Sequence, residues 1–397
     1  MDKFGLAAVA AAALALSAAS AIAADNYATQ KVGINVETVA TGLEHPWGIA
    51  VLPDGAFLVT ERDGRMRLVK DGDLSQPVSG LPNIAVGGQG GLLDVALSND
   101  FEQSGIIYFT YSEPGQGGAG TALTRAKLVR NGMQARLEDV KVLFSMDRKS
   151  RGGRHFGSRI AIADDDSLFF TIGDRGDADR AQDPMDHAGA VLRINPDGSI
   201  PADNPYANAD NAKPELWSKG HRNAQGLDFD SKTNVLYAVE HGARGGDEIN
   251  RPEPGLNYGW PVISYGRHYS GGKIGIGTEA TGYQQPIHYW DPSIAPGGMT
   301  VYRGEMFPEW DGDLFVTALK DRMLVRLDRD NAGNITGEER LLQGRYGRMR
   351  DVIAAPDGSL LVLTDEPDGV ILRISPAILI LAHFWVSDEF ELIFRRV

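Results

Sequence analysis

The chain has 397 residues, a formal net charge of −14 and no cysteine. Without thiols there are no disulfides, no thiolate metal site and no cysteine nucleophile, so burial alone must hold the fold. The acidic balance disfavours nucleic acid and anionic membrane as partners and is compatible with a bound divalent cation.

Residues 1–24 read as a secretory signal peptide. Lys3 gives a basic start, residues 6–19 are small and apolar, and Ala21-Ile22-Ala23 is an A-x-A cleavage site. The apolar run is shorter than the ~18 residues of a membrane span. Residues 25–375 then carry a strand-and-turn unit that recurs about six times. The first copy, 45–60, turns at Pro53-Asp54-Gly55, and the last, 349–364, turns at Pro356-Asp357-Gly358. Between them lie 92–111, 158–173, 224–240 and 298–317. In each, two apolar or β-branched runs flank an Asp, Asn or Gly turn, the pattern of a hairpin. Forty-eight glycines and few helical patterns fit an all-β chain. Repetition at roughly 45 to 80 residues implies blades, and six copies imply a six-bladed β-propeller. The glycine-rich stretch 115–120 reads as a blade loop. After Val370-Ile371-Leu372-Arg373-Ile374, read as a closing strand, a divergent tail of 376–397 begins. Its apolar run, 377–386, is too short to span a bilayer and is expected to dock a partner or to be poorly ordered.

A propeller gathers loops from every blade at one mouth of its channel. Functional residues are therefore expected just before the first strand, or just after the second, of several repeats. Before the second repeat lies Gly87-Gly88-Gln89-Gly90-Gly91, where glycines let the backbone approach a ligand and Gln89 can face it. Before the third lies Arg154-His155-Phe156-Gly157, and His155 is a natural general base near neutral pH. Before the fourth lies Gly220-His221-Arg222-Asn223-Ala224-Gln225-Gly226-Leu227, dense in donors suited to an anionic, oxygen-rich ligand. After that blade come Glu240-His241-Gly242-Ala243-Arg244-Gly245-Gly246-Asp247-Glu248-Ile249-Asn250 and Asn257-Tyr258-Gly259-Trp260-Pro261. Carboxylates mixed with glycines suit a hard cation such as calcium. Lys320, Arg345, Arg348 and Arg350 sit at blade edges and are expected to face a common anion.

These residues resemble the soluble, pyrroloquinoline-quinone-dependent glucose and aldose sugar dehydrogenases, from about Leu43 to Ile374. The likeness is carried by Gly220–Leu227, by Gly245-Gly246-Asp247-Glu248-Ile249-Asn250 with Asn257-Tyr258-Gly259-Trp260-Pro261, and by Arg348-Met349-Arg350-Asp351-Val352. Gly173-Asp174-Arg175-Gly176-Asp177 and Ala181-Gln182-Asp183-Pro184 place it nearer the shorter aldose branch. The resemblance implies a six-bladed propeller with pyrroloquinoline quinone (PQQ) over the channel mouth. It implies His155 as the base and Arg222 as stabiliser of charge on the quinone oxygen. Gln89, Arg222, Asn223, Gln225, Lys320, Arg348 and Arg350 would hold the cofactor. One calcium would sit on the carbonyls of Gly242 and Ala243, and a structural one near Glu248 and Tyr258. The implied product is a lactone, formed from an aldose in the periplasm, with an external cytochrome or quinone as electron acceptor and the protein a monomer or homodimer.

Two positions depart from the family pattern. Arg154 stands where an acidic residue often orients the base, which leaves Asp94 or Asp174 as candidates for that task. Ala243 stands where proline is common. The alternatives are a non-catalytic, calcium-dependent sugar-binding propeller and a calcium-dependent lactone hydrolase.

Overall fold

The computed structural model describes residues 24–377, so the signal-peptide reading and nearly all of the tail lie outside the described residues. It is a six-bladed β-propeller with one antiparallel sheet per blade. The six repeats read from the sequence are the first two strands of the six blades. Blade 1 opens with Pro46–Val51 and Phe57–Glu61, blade 2 with Leu92–Leu97 and Ile106–Gly115, and blade 3 with Ile160–Ile162 and Leu168–Ile172. Blade 4 opens with Ala224–Asp230 and Val235–Glu240, blade 5 with Pro296–Val301 and Leu314–Ala318, and blade 6 with Met349–Ala354 and Leu360–Thr364. The first strands contact one another in an unbroken ring around the axis. The 115–120 stretch is the turn of a long hairpin in blade 2.

The sequence pattern gave no sign of how the ring closes. Strand Gly33–Leu43, from the start of the chain, pairs antiparallel with the closing strand Gly369–Pro376, with Val36 opposite Ile374. Blade 6 is thus built from both ends of the described chain. Ile34 and Val36 enter the apolar cluster between blades 5 and 6, around Trp310, Phe307 and Phe315. Each of the other blade interfaces has its own cluster, so every sheet buries both faces against neighbours. Among the described residues, no helix is long and apolar enough to cross a membrane.

Polar residues close the channel. Arg159, 5% exposed, donates to Asp94 of blade 2 and Asp351 of blade 6, both at 2.8 Å. Its Nε donates to the Gln225 carbonyl of blade 4 at 3.0 Å. Asp94 also accepts the Ile160 N–H at 2.8 Å. Blades 1 and 5 contribute Gly48 and Gly298, where a Cβ would collide with Asp94 and Asp351 respectively. Burial, partly offset by Arg159 and reinforced by Asp94, pushes Asp351 up to about 7.

Removing one partner of such a buried cluster leaves uncompensated charge. Arg159→Met is expected to destabilise the fold by about 3–5 kcal/mol in urea unfolding. Lys232→Ala, which removes the exposed Lys232–Asp311 pair, should change stability by no more than ~0.5 kcal/mol. Equal effects of the two substitutions would show that the axial cluster has no special weight.

Candidate active site

Above the axial cluster the channel opens into a cavity of about 620 Å³, its open mouth included. Trp47, Leu93 and Phe156 form an apolar patch beneath the mouth. Of the residues singled out in the sequence, Gln89, Asn223, Gln225, Arg348 and Arg350 line the cavity, together with Arg62, His241 and Asp365, whereas His155, Arg222 and Lys320 adjoin lining residues without lining it themselves.

His155 has φ +55°, a left-handed backbone that is uncommon outside glycine. Its surroundings hold it there. The His155 N–H donates to Gln89 Oε1 at 2.7 Å, and the preceding carbonyl, of Arg154, accepts from Arg175. On the ring, Nδ1 lies 2.6 Å from Asp174 Oδ1. Asp174 also accepts from the Gly176 N–H at 2.7 Å and from Trp260 Nε1 at 2.9 Å. Burial raises the Asp174 carboxyl, but its bond to His155 and the Gly176 N–H outweigh this and hold it below the usual range. An ionised Asp174 makes Nδ1 the donor and leaves the lone pair on Nε2, which has no partner among the described residues. Burial pushes the imidazole below its ordinary value; Asp174 opposes, and Arg222 and Arg154 add to the fall. Of the two carboxylates the sequence left open, Asp174 holds His155 and Asp94 belongs to the axial cluster.

The cations have few partners. Arg222, 8% exposed, donates its backbone N–H to Glu240 at 2.5 Å and Nη1 to the His241 carbonyl at 3.2 Å. Its guanidinium lies 5.3 Å from the Trp260 ring, and its buried Nε is unpaired. Asn223 Oδ1 accepts the Gly157 N–H at 3.1 Å. Arg350 donates to Gln225 Oε1 at 2.7 Å, and its Nε is also unpaired. Arg348 and Arg350 share Asp365 Oδ2 at 3.3 and 3.2 Å, with His45 at 2.8 Å and Arg62 at 3.6 Å on the other oxygen. Burial works against it, but the guanidiniums and His45 hold Asp365 well below the carboxylate range. Lys320 donates to the Ser293 carbonyl at 2.7 Å. The described carboxylates thus leave part of this positive charge unneutralised, and the Nε atoms of Arg222 and Arg350 buried without a partner. Arg345 is not part of this group. Its guanidinium lies 6.0 Å from the Tyr27 ring, beside the outermost strand of blade 6.

The 242–248 loop is pinned by Asp247, 0% exposed, which accepts from Gly242 N–H at 2.8 Å, Ser293 at 2.7 Å and the N–H groups of Ile294 and Ala295. The carbonyls of Gly242 and Ala243 accept no hydrogen bond among the described residues. No group of three or more His, Asp or Glu among those residues is placed to hold a metal, so a cation here needs main-chain oxygens. Glu248 lies beside Glu240, and Asn250 Nδ2 donates to both carboxylates. Burial, then Glu240, pushes Glu248 up to about 8. The Tyr258 hydroxyl is engaged with the Arg251 carbonyl and the Glu253 N–H, so only its free carbonyl could serve a metal. His221 is turned inward, between Glu240 and Ser218 and stacked on Tyr258.

Arg62, His241 and Asp365 were missed although they follow second strands, as the positional rule requires. Nothing in the sequence linked Trp260 or His45 to carboxylates far along the chain.

Residues 43–373 match the family described as glucose/sorbosone dehydrogenase. Aldose sugar dehydrogenase YliI of Escherichia coli is 42% identical over 348 residues, covering 86% of this chain and 93% of that protein. The apo-form structure of the soluble aldose sugar dehydrogenase from Escherichia coli superposes with a TM-score of 0.82 at 41% identity, covering 87% of this chain and all of that one. The PQQ-bound aldose sugar dehydrogenase of Streptomyces coelicolor gives 0.70 at 28% identity, covering 86% and 98%.

The His155–Asp174 pair can be tested by ring NMR. His155 should titrate below the usual histidine value, and Asp174→Asn should move it lower still, because the one group that favours the imidazolium is lost. An upward move would mean that Asp174 does not support the charged ring.

Proposed function

The chain belongs to the glucose/sorbosone dehydrogenase family, and from that premise we propose that it is a PQQ-dependent quinoprotein that oxidises aldose sugars to lactones at the anomeric carbon. The observation that carries this reading is His155, its Nδ1 committed to Asp174, its Nε2 without a partner among the described residues, and the cations Arg222 and Arg154 close enough to disfavour its charged form.

The residues fit a three-carboxylate cofactor. Arg222 and Arg350 have unpaired buried nitrogens, Arg348, Gln89, Asn223 and Gln225 supply further polar groups along the cavity wall, and Lys320 follows the lining residue Leu319. When bound, PQQ would supply the acceptor for the hydride that leaves the anomeric carbon. His155 Nε2 takes the proton of the anomeric hydroxyl, and ionised Asp174 stabilises the imidazolium that forms. Arg222 stabilises negative charge as it develops, with no carboxylate of its own to neutralise it. The unpaired carbonyls of Gly242 and Ala243 suit calcium acting as a Lewis acid. Glu248 and the Tyr258 carbonyl suit a second, structural calcium. The leader-like segment at 1–24 supports a periplasmic location, and an external cytochrome or quinone must reoxidise the reduced cofactor.

The test is dye-linked aldose oxidation by purified protein, with and without PQQ and calcium. Activity should require both. His155→Ala should lower turnover about 10²–10⁴-fold while retaining PQQ binding. The double variant Arg348→Ala, Arg350→Ala should raise the PQQ concentration needed. Full turnover in His155→Ala would remove it as the base, and oxidation independent of PQQ would overturn the reading.

A further inference from the structure

Arg154 is the one cation beside His155 that the cofactor site does not absorb. The cofactor cations come from blades 4, 5 and 6, whereas Arg154 lies in the segment leading into blade 3, next to the base. Its main chain is locked. Buried Arg175, 3% exposed, donates to the carbonyls of Arg154 and Gly152, the latter at 2.7 Å, and lies 3.4 Å from the Phe156 ring centroid. The side chain is exposed and lies along the 174–177 turn. Gly176 has φ +78°, and the position of its missing Cβ lies 2.3 Å from Arg154 Nε, so the exposed Arg154 side chain runs directly over this glycine. Arg154 Nη2 donates to the Gly176 carbonyl at 3.4 Å, its only hydrogen bond among the described residues.

Among the described residues, no carboxylate pairs with this guanidinium. Asp174, in the same loop, is committed to His155, Trp260 and the Gly176 N–H. Asp177 is exposed and forms no ion pair with it. An exposed arginine next to His155, with no carboxylate partner among the described residues, is a ready partner for a carboxylate or phosphate, which its planar donors match in pairs.

We infer that Arg154 recognises an anionic substituent of the sugar, remote from the anomeric carbon, so that the preferred substrates are anionic aldoses, uronates or aldose phosphates. This rests on the quinoprotein reading and names its substrate class. The reaction leaves the anionic group untouched. The anomeric C–H bond breaks with its electron pair passing to the quinone, the hydroxyl proton passes to His155 Nε2, and the lactone is the product.

The experiment compares holoenzyme kcat/KM for glucuronate, glucose 6-phosphate and glucose, at low and high ionic strength, in wild type and Arg154→Gln. The anions should be preferred, less so at high salt. The ratio of anion to glucose kcat/KM should fall about tenfold in the variant, through KM, as expected for loss of one charge-assisted contact. A loss confined to glucuronate or to the phosphate identifies which anion the site takes. Calorimetric titration with methyl β-glucuronide, whose capped anomeric oxygen prevents oxidation, should show the same loss, with methyl β-glucoside as the neutral control. An unchanged anion-to-glucose ratio in Arg154→Gln, with unchanged glucuronide binding, overturns the inference. Absence of turnover with all three sugars overturns the quinoprotein reading instead, and the glucuronide titration still decides whether Arg154 binds the anion.

Discussion

One guanidinium on the propeller axis sets the frame for the rest. Arg159 joins blade 2 to blade 6 through two carboxylates and reaches blade 4 through a carbonyl. A buried cluster of this kind is a weak source of net stability, because desolvation consumes much of the attraction. Its geometric demand is strict, since three separate blades must bring their groups within hydrogen-bond reach of one side chain. The same guanidinium lies 4.3 Å from the Trp47 ring, and Arg350 lies 5.7 Å from it. Axial cluster and cavity floor therefore share a wall, and the register of the blades is passed directly to the site.

The site works by withholding charge partners. Asp365 is the one carboxylate shared among Arg62, Arg348 and Arg350, while Arg222 and Lys320 have none among the described residues. On the proposed reading, a bound polyanion would neutralise this positive charge. The same charge also disfavours the imidazolium of His155, adding to the effect of burial. Asp174 sets the limit on that effect: it fixes the tautomer and favours the imidazolium without being exposed to solvent.

The left-handed backbone of His155 shows how the scaffold supports function. Gln89 from the blade 2 loop, Asp174 and Arg175 from the blade 3 exit and Trp260 from beyond blade 4 all converge on it or on its neighbours. The conformation persists because these partners over-determine it. Asp247 does the same for the glycine loop, leaving two carbonyls unpaired where a cation could use them.

The alternation of apolar runs and turns, read locally, determined six hairpins, hence blades and an all-β propeller. Because propeller loops gather at one mouth, the same pattern singled out Gln89, Asn223 and Arg350, which line the cavity, and His155 and Arg222, which adjoin it. Tertiary structure alone decided the pairings. Asp174, not Asp94, holds His155; Asp365 collects arginines from opposite ends of the chain; Arg345 turns away to Tyr27; and strand Gly33–Leu43 closes blade 6. Local periodicity specifies which segments become strands. The partner of a charged side chain depends on distances between residues hundreds of positions apart, and these are set only when the ring of blades closes.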